Sequence, residues 1–396
     1  MRPSLLFPLL LVFYEMGGYL SNDMYLPALP SMMTELNISQ ALVQLTLTTW
    51  FLGSASMQLI VGPLSDRFGR RPIVLLGGIF YVITLCICAL TSDIHTMLLA
   101  RFIQGVMVSV VVVAGYASIH ELYDQTHAIR VLATMNSVIV IAPAFGPLVG
   151  SVLLNFMDWR GLFWILAIWA FLATSLLAKW MPESHPVEKR QPLNLKKITK
   201  NYFTILTTWR FNTLMLSFCF TFLGFIAWLT TGPFIISQEF HKSVLVFGIC
   251  QTIIFMFYIG ANQLVKKLME KFSVQTLIWF GLSVTVLGGI ISVVFTLLFP
   301  DFLPGLIIGM SIYSLGSGFS FSPLNRLAVE ATNEPMGVRI AMSSTYMTLF
   351  GVLGSISGSL FYTGAMSSLA YVLFATGLLA MIFRMLTNLR PMVEKI

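Results

Sequence analysis

Residues 62–72 read Gly-Pro-Leu-Ser-Asp-Arg-Phe-Gly-Arg-Arg-Pro and stand between two long apolar stretches, approximately 41–61 and 73–91. A bilayer core about 30 Å thick needs roughly 20 predominantly apolar residues per helix. Each flanking stretch reaches that length. The pattern therefore predicts two membrane-spanning helices joined by a short basic loop.

The composition extends this prediction to the whole chain. Of its 396 residues, 57% are hydrophobic and only 10% are charged, and the mean hydropathy is +0.85. Soluble domains carry roughly 25% charged residues. The composition excludes an ordinary soluble enzyme, a disordered protein and a collagen-like fibre, and it favours a chain whose solvent is mostly lipid.

Apolar stretches of spanning length recur along the chain. They lack the period-two alternation of barrel strands, so they predict an all-α membrane protein with twelve transmembrane helices in two six-helix halves. The stretches lie at approximately 5–26, 41–61, 73–91, 96–118, 131–154, 161–180, 211–231, 243–264, 275–298, 304–324, 340–362 and 369–388.

The formal charge of +7 follows from where the basic residues stand. With the N-terminus inside, nearly all of the 23 Lys and Arg fall in inner loops. Only Arg160 and Lys242 fall outside, and Arg101 falls within the fourth span. This asymmetry predicts cytoplasmic N- and C-termini. It also accounts for the basic charge without a nucleic-acid partner.

The longest connection divides the chain. We predict an N-terminal bundle over 1–180, a cytoplasmic linker over 181–210 and a C-terminal bundle over 211–396. The basic segment 196–200 is either an amphipathic helix on the inner leaflet or part of a solvated linker. A short internal repeat, residues 66–68 against 270–272, supports two related halves.

Three motifs resemble those of the major facilitator superfamily. The loop matches G-x-L-x-D-R-x-G-R-R/K, and span four carries Arg101 with Gln104 and Gly105, as in R-x-x-Q-G. Span five resembles the antiporter motif, with Ser151 replacing its last glycine. The resemblance implies a conformational motif made of Gly62, Asp66, Arg67, Gly69, Arg70, Arg71, Gly146, Pro147 and Gly150.

Span one places two carboxyl groups in a hydrophobic helix. Glu15 and Asp23 are eight residues apart, about 12 Å along a helix and about 80° around it. Tyr19 and Asn22 fall on the same broad face. Carboxyl groups removed from water take up protons more readily, as proton coupling requires. Asp23 alternatively lies solvated near the outer interface, and Arg101 alternatively extends to the outer surface.

Order and spacing in the first half resemble the Bcr/CflA-like, twelve-span drug:proton antiporters of this superfamily. The resemblance implies proton coupling by Glu15, Asp23 and Arg101. It also implies a substrate site that includes Glu15, Tyr19 and Asn22, and a multi-pass protein of the cell inner membrane.

The substrate site is also expected to have apolar walls. Trp228, Phe255 and Tyr346 are the candidates for it in the second half. Aromatic side chains suit a pocket that accepts varied lipophilic shapes. The alternative for each is ordinary packing between helices or against lipid.

These observations predict a proton-coupled multidrug efflux antiporter that exports lipophilic, often cationic, compounds by alternating access. The partners expected are the lipid bilayer, small-molecule substrates and protons, with a monomeric protein, no cofactor and no metal. No G-x-x-x-x-G-K-[ST] motif is present, so the energy source is predicted to be a proton gradient. The alternative is a dedicated exporter of one metabolite or siderophore. An enzyme is disfavoured. The group nearest to a catalytic cluster is His120, Glu121, Asp124 and His127, which lacks metal-like spacing and is more simply explained as a charged loop.

Overall fold

The computed structural model describes residues 6–124, 128, 131, 135, 141–190 and 195–389. In the first half of the chain these residues form seven α-helices and two short 3₁₀ turns, Leu26–Ala28 and Val187–Lys189. The helices are α1 (Leu6–Asp23), α2 (Leu29–Glu35), α3 (Gln40–Phe68), α4 (Arg70–Leu90), α5 (Ile94–Leu122), α6 (Ile141–Leu153) and α7 (Trp159–Trp180).

The second half continues with seven further α-helices. They are α8 (Leu195–Thr207), α9 (Trp209–Phe234), α10 (Val244–Leu268), α11 (Val274–Leu298), α12 (Leu303–Val329), α13 (Met336–Phe361) and α14 (Met366–Thr387). Helix α9 continues into a π-helical turn over Ile235–Glu239. The described residues contain no strand, and the predicted all-α fold is confirmed.

Nine helices of the described chain are long and apolar enough to cross a membrane. They are α4, α5, α7 and α9–α14. Helices α1 and α3 coincide with the first two predicted spans but fall outside this group, since polar side chains interrupt their apolar runs. The fifth predicted span lies partly outside the described residues, which include Ile141–Leu153.

The chain divides into two compact units, Met1–Asn194 and Leu195–Ile396. The segment 196–200 lies within α8. Its backbone is therefore helical, as the first of the two predicted alternatives requires. Contact of this helix with the inner leaflet remains a prediction.

Side-chain caps fix where several helices begin. Ser39, Asp93, Asp158 and Ser273 each accept a hydrogen bond from a backbone N–H in the first turn of the helix that follows. Such caps satisfy N–H groups that have no partner within the helix. At α5 the bonds from Thr96 hold the pKa of the Asp93 carboxyl below its usual range.

Small residues bring α3 and α5 into backbone contact. A Cβ at Gly105 would lie 1.9 Å from the carbonyl oxygen of Trp50, and a Cβ at Gly53 would lie 1.9 Å from that of Phe102. The hydroxyls of Ser54 and Ser109 meet at 2.8 Å. Interfaces of this kind are typical of helix pairs in membranes. The contact places Arg101, one turn before Gly105, beside the core of unit one.

Candidate functional site

Helix α1 buries both of its carboxyl groups inside unit one. Glu15 is 2% exposed and Asp23 is 4% exposed. Asp23 is therefore not solvated at an interface in this structure, which removes that alternative. Tyr19 lies between them in the sequence, one turn from each, and is half-buried.

Arg101 reaches α1 from α5. It is fully buried and donates hydrogen bonds to the carbonyl oxygen of Ser21 (3.0 Å) and to Oδ1 of Asn22 (3.0 Å). Further bonds run to Gln104 Oε1 (2.8 Å) and to the carbonyl oxygen of Thr46 (3.3 Å). The side chain therefore points inward, and the alternative of a surface-seeking arginine is wrong.

Tyr25 completes the surroundings of the guanidinium. The Arg101 guanidinium carbon lies 4.5 Å from the centre of the Tyr25 ring, a cation–π arrangement. Within the described chain, no ion pair joins Arg101 to Glu15 or Asp23. Its hydrogen-bond partners are neutral, and two of them, Ser21 and Asn22, belong to the turn of α1 that carries Asp23.

Glu15 has a phenol as its hydrogen-bond donor. The Tyr116 hydroxyl on α5 lies 3.1 Å from each carboxylate oxygen of Glu15. On the other side of α1, Phe13 stacks on Trp169 at 4.6 Å, and the Trp169 Nε1 donates to the carbonyl oxygen of Phe13 (2.8 Å). Among the described residues, Tyr116 is thus the hydrogen-bond donor to Glu15, and an aromatic pair packs beside the neighbouring turn of α1.

The predicted antiporter motif packs against the end of α1 that carries Asp23. A Cβ at Gly146 would lie 2.9 Å from the Cβ of Asp23, and a Cβ at Gly150 would lie 1.9 Å from the carbonyl oxygen of Met24. The hydroxyl of Ser151 donates to the carbonyl oxygen of Pro147 at 2.6 Å. The motif's two glycines thus allow the close approach of α6 to the carboxyl-bearing turn.

The loop motif forms the junction of α3 and α4. Gly69 has φ = +98°, a backbone conformation that favours glycine. Glu183 caps the start of α4, because its carboxylate accepts from the N–H groups of Arg70 (3.0 Å) and Arg71 (3.3 Å). The segment after α7 therefore caps the beginning of α4 at this junction.

Asp66 forms its ion pair with Arg70, at 2.5 Å. The guanidinium of Arg67 lies over the ring of Phe68. Arg70 also pairs with Glu121 at 2.9 Å, and Glu121 in turn accepts from Ser184 at 2.6 Å. The motif thus connects α3, α4 and α5 with the segment that follows α7. Its role as a conformational motif stays a prediction.

Two of the three predicted aromatic wall residues, Trp228 and Phe255, lie near each other between α9 and α10, and Tyr346 lies apart from them. Trp228 is fully buried and donates to Gln251 Oε1 at 2.6 Å. Phe255 is half-buried and belongs to an aromatic cluster with Phe225 and Tyr258. Tyr346 hydrogen-bonds Asn212, which lies about 24 Å before Trp228 along α9 at 1.5 Å per residue.

Sequence reasoning did not find the residues that serve the buried charges. Tyr116 is 101 residues from Glu15, and Thr46 is 55 residues from Arg101. Neither belongs to a motif that specifies its partner. A tyrosine in an apolar span does indicate a hydroxyl that needs a partner, but it does not identify that partner. The described residues contain no cluster of His, Cys, Asp or Glu suited to a metal ion.

The helices of spanning length and the carboxyl and guanidinium groups buried among them define the class: a multi-pass membrane transporter. The chain matches the profile of the Major Facilitator Superfamily over residues 11–362, and it belongs to this family. Family membership confirms a transporter of the inner membrane and not an enzyme.

Named relatives and solved structures agree with this membership. The chain is 32% identical to the Multidrug transporter MdfA of Escherichia coli O6:H1 over 352 residues, which are 89% of this chain and 86% of the relative. It is 29% identical to the Chloramphenicol resistance protein CraA of Acinetobacter baumannii over 350 residues, 88% of this chain and 84% of the relative.

Solved structures show the same fold at lower identity. A D-xylose-proton symporter superposes with a TM-score of 0.74 at 17% identity, covering 96% of this chain and 97% of the symporter. The human organic anion transporter MFSD10 gives a TM-score of 0.69 at 16% identity, covering 98% and 100%.

Proposed function

We propose that the protein is a proton-coupled multidrug antiporter that exports lipophilic, often cationic, compounds by alternating access. The names of its relatives, a multidrug transporter and a chloramphenicol resistance protein, support drug export. The geometry of unit one supports the choice of site residues and the proposed proton coupling.

The observation that carries the proposal is the burial of Glu15 and Asp23 without a direct ion pair. Neither forms an ion pair within the described residues. A buried unpaired carboxylate costs considerable free energy. A bound proton removes this charge, and a bound cationic substrate balances it. The two occupants therefore compete for the same groups, and such competition is the basis of exchange.

Arg101 acts in this proposal as a positioning residue. It holds Ser21 and Asn22 through neutral acceptors, so its charge lies near Asp23 without neutralising it by direct contact. Tyr19 and Asn22 are proposed to contact substrate. Of the second-half candidates, Phe255 is half-buried in an aromatic cluster, whereas Trp228 is enclosed and needs a rearrangement before it meets a substrate.

In the proposed cycle, protons from outside neutralise the two carboxyl groups while the site faces outward. The neutral site opens inward, and a lipophilic cation then binds as the protons leave to the cytoplasm. The loaded site returns outward, where protons displace the cation. The direction of net export follows from an inwardly directed proton gradient, which is itself part of the proposal.

The decisive measurement is proton release from the purified protein on addition of tetraphenylphosphonium in weakly buffered solution. Wild-type protein should release protons. The Glu15→Gln, Asp23→Asn double variant should release none while retaining its thermal unfolding transition. Glu188→Gln, an exposed carboxyl on the Val187–Lys189 turn, serves as the matched control and should behave as wild type.

Unchanged proton release in the double variant would contradict the proposal. Breadth of substrate is tested separately, by energy-dependent efflux of a panel of unrelated dyes from cells. Export of one compound alone would instead indicate a dedicated exporter that uses the same fold.

A further inference from the structure

A basic cavity of about 310 Å³ lies within unit two, where α9 and α11 begin and α12 and α14 end. Its polar lining comprises Arg210, Gln275, Arg384, Thr387 and Asn388. The loops at this end of the helices are the ones predicted to be cytoplasmic. The cavity therefore lies at the expected level of the lipid headgroups, and the transport proposal makes no use of it.

Arg384 is buried in this cavity and keeps an unused donor. The residue is 2% exposed. Its Nη1 donates to Asn388 Oδ1 at 3.0 Å and its Nη2 donates to Gln275 Oε1. Its buried Nε has no hydrogen-bond partner. An unmade hydrogen bond at a buried charged group is costly, and this donor is one that a ligand in the cavity could satisfy.

Among the described residues, the lining of the cavity also has an excess of positive charge. Arg210 lines the same space, and no carboxylate of the described chain forms an ion pair with either arginine. The C-terminus of α14 contributes a charge of only about −0.5. That partial charge is too small to balance two guanidinium groups.

The corresponding positions of the first half carry a different set of charges. Residues 204 apart correspond in the internal repeat, as Asp66 and Glu270 do. By this spacing Glu183, which caps α4, corresponds to Thr387 in the cavity wall, and Glu121 corresponds to Asn325. Unit one therefore places carboxylates where unit two has neutral side chains.

We infer that this cavity binds a phosphate group, carried by an anionic lipid headgroup or free in solution. Guanidinium groups bind phosphate through several charge-assisted hydrogen bonds. Arg210, the Nε of Arg384 and the amide of Asn388 offer donors from two helix ends to one tetrahedral anion. Basic pockets between helices at the cytoplasmic level are suited to anionic headgroups.

The test uses the full-length protein, delipidated in a neutral detergent. Its thermal unfolding and its ligand binding are measured in three separate titrations, with phosphatidylglycerol, with phosphatidylcholine and with inorganic phosphate. The structure predicts saturable stabilisation by phosphatidylglycerol and none by phosphatidylcholine. Saturable stabilisation by inorganic phosphate also supports the site and identifies its source as the free anion.

Substitutions locate the effect. Arg384→Gln and Arg210→Gln should each weaken binding at least tenfold. Lys266→Gln, an exposed lysine in the last turn of α10, should leave binding unchanged. If Arg384→Gln fails to fold, Arg210→Gln, at a half-buried position, decides the question.

Two outcomes would overturn the inference. One is the absence of saturable binding by either phosphate source. The other is an equal loss of binding in the Lys266→Gln variant, which would indicate general attraction to a basic surface. Neither outcome bears on proton release through Glu15 and Asp23, so this inference and the transport proposal fail independently.

Discussion

Gly146 lies directly against Asp23: a Cβ added at position 146 would stand 2.9 Å from the Cβ of Asp23. The contact couples α6 to the turn of α1 that carries one of the two buried carboxyl groups. The first glycine of the predicted antiporter motif therefore has a packing function in this chain. It leaves room for the residue that is proposed to bind the proton.

Gly146→Ala is expected to displace Asp23 and to impair transport. Overpacking of this kind costs about 1–3 kcal/mol. Thermal unfolding and energy-dependent dye efflux, measured on the same variant, give the two readouts. Gly260→Ala is the control, because a Cβ there meets nothing within 4 Å. A Gly146→Ala protein with wild-type efflux would show that the contact is irrelevant to transport.

Arg101→Lys is expected to destabilise unit one although it retains the charge. A lysine ammonium cannot reproduce the planar fork that reaches Ser21, Asn22 and Gln104. The loss should be about 3 kcal/mol, since buried acceptors of a charged donor are left unpaired. Denaturation in mixed micelles measures it.

Arg326→Lys is the matched control for that substitution. Arg326 forms an exposed pair with Glu330, and exposed pairs contribute about 0–1 kcal/mol. Equal effects of the two substitutions would contradict the positioning role given to Arg101.

Tyr116→Phe is expected to act through Glu15. The substitution removes the hydroxyl that meets both carboxylate oxygens and keeps the ring. Hydrogen bonds to charged groups contribute about 1.5–3 kcal/mol, so transport should fall at least tenfold. In a Glu15→Gln background the same substitution should have a much smaller effect. Additive effects of the two substitutions would contradict the prediction that Tyr116 acts through Glu15.

Glu183→Ala is expected to weaken the junction of α3 and α4. The carboxylate accepts from the first two N–H groups of α4, and loss of such a cap costs about 1 kcal/mol. Glu188→Ala removes a nearby exposed carboxyl and should change the free energy of unfolding by less than half of the change caused by Glu183→Ala. Equal stability of the two variants would argue against capping.

The prediction of the fold was accurate because its signal is local. An apolar stretch of spanning length is a helix in lipid, where every backbone polar group must be satisfied within the segment. The predicted spans accordingly coincide with helices throughout the described chain. The exceptions in apolar character, α1 and α3, carry polar side chains such as Glu15 and Gln44 that their packing in unit one buries.

The candidate site could be predicted only in part. A carboxyl in an apolar span is conspicuous in any sequence, and the burial of Glu15, Asp23 and Arg101 agrees with the roles proposed for them. The sequence carries a weaker signal for the aromatic candidates, since aromatic side chains are abundant throughout the spans. Trp228 accordingly lies far along α9 from Asn212, the partner of Tyr346, and the two aromatic residues have different polar partners.

The sequence by itself determined the class of protein, the helices and the charged residues that lipid would not tolerate without a function. Tertiary structure alone decided the partners: a phenol for Glu15, neutral acceptors for Arg101, a glycine for Asp23 and, within residues 195–389, no ion pair for Arg384. The physical reason is that hydrophobicity is a property of one segment. A hydrogen bond between helices depends on their relative rotation and depth, which only packing fixes.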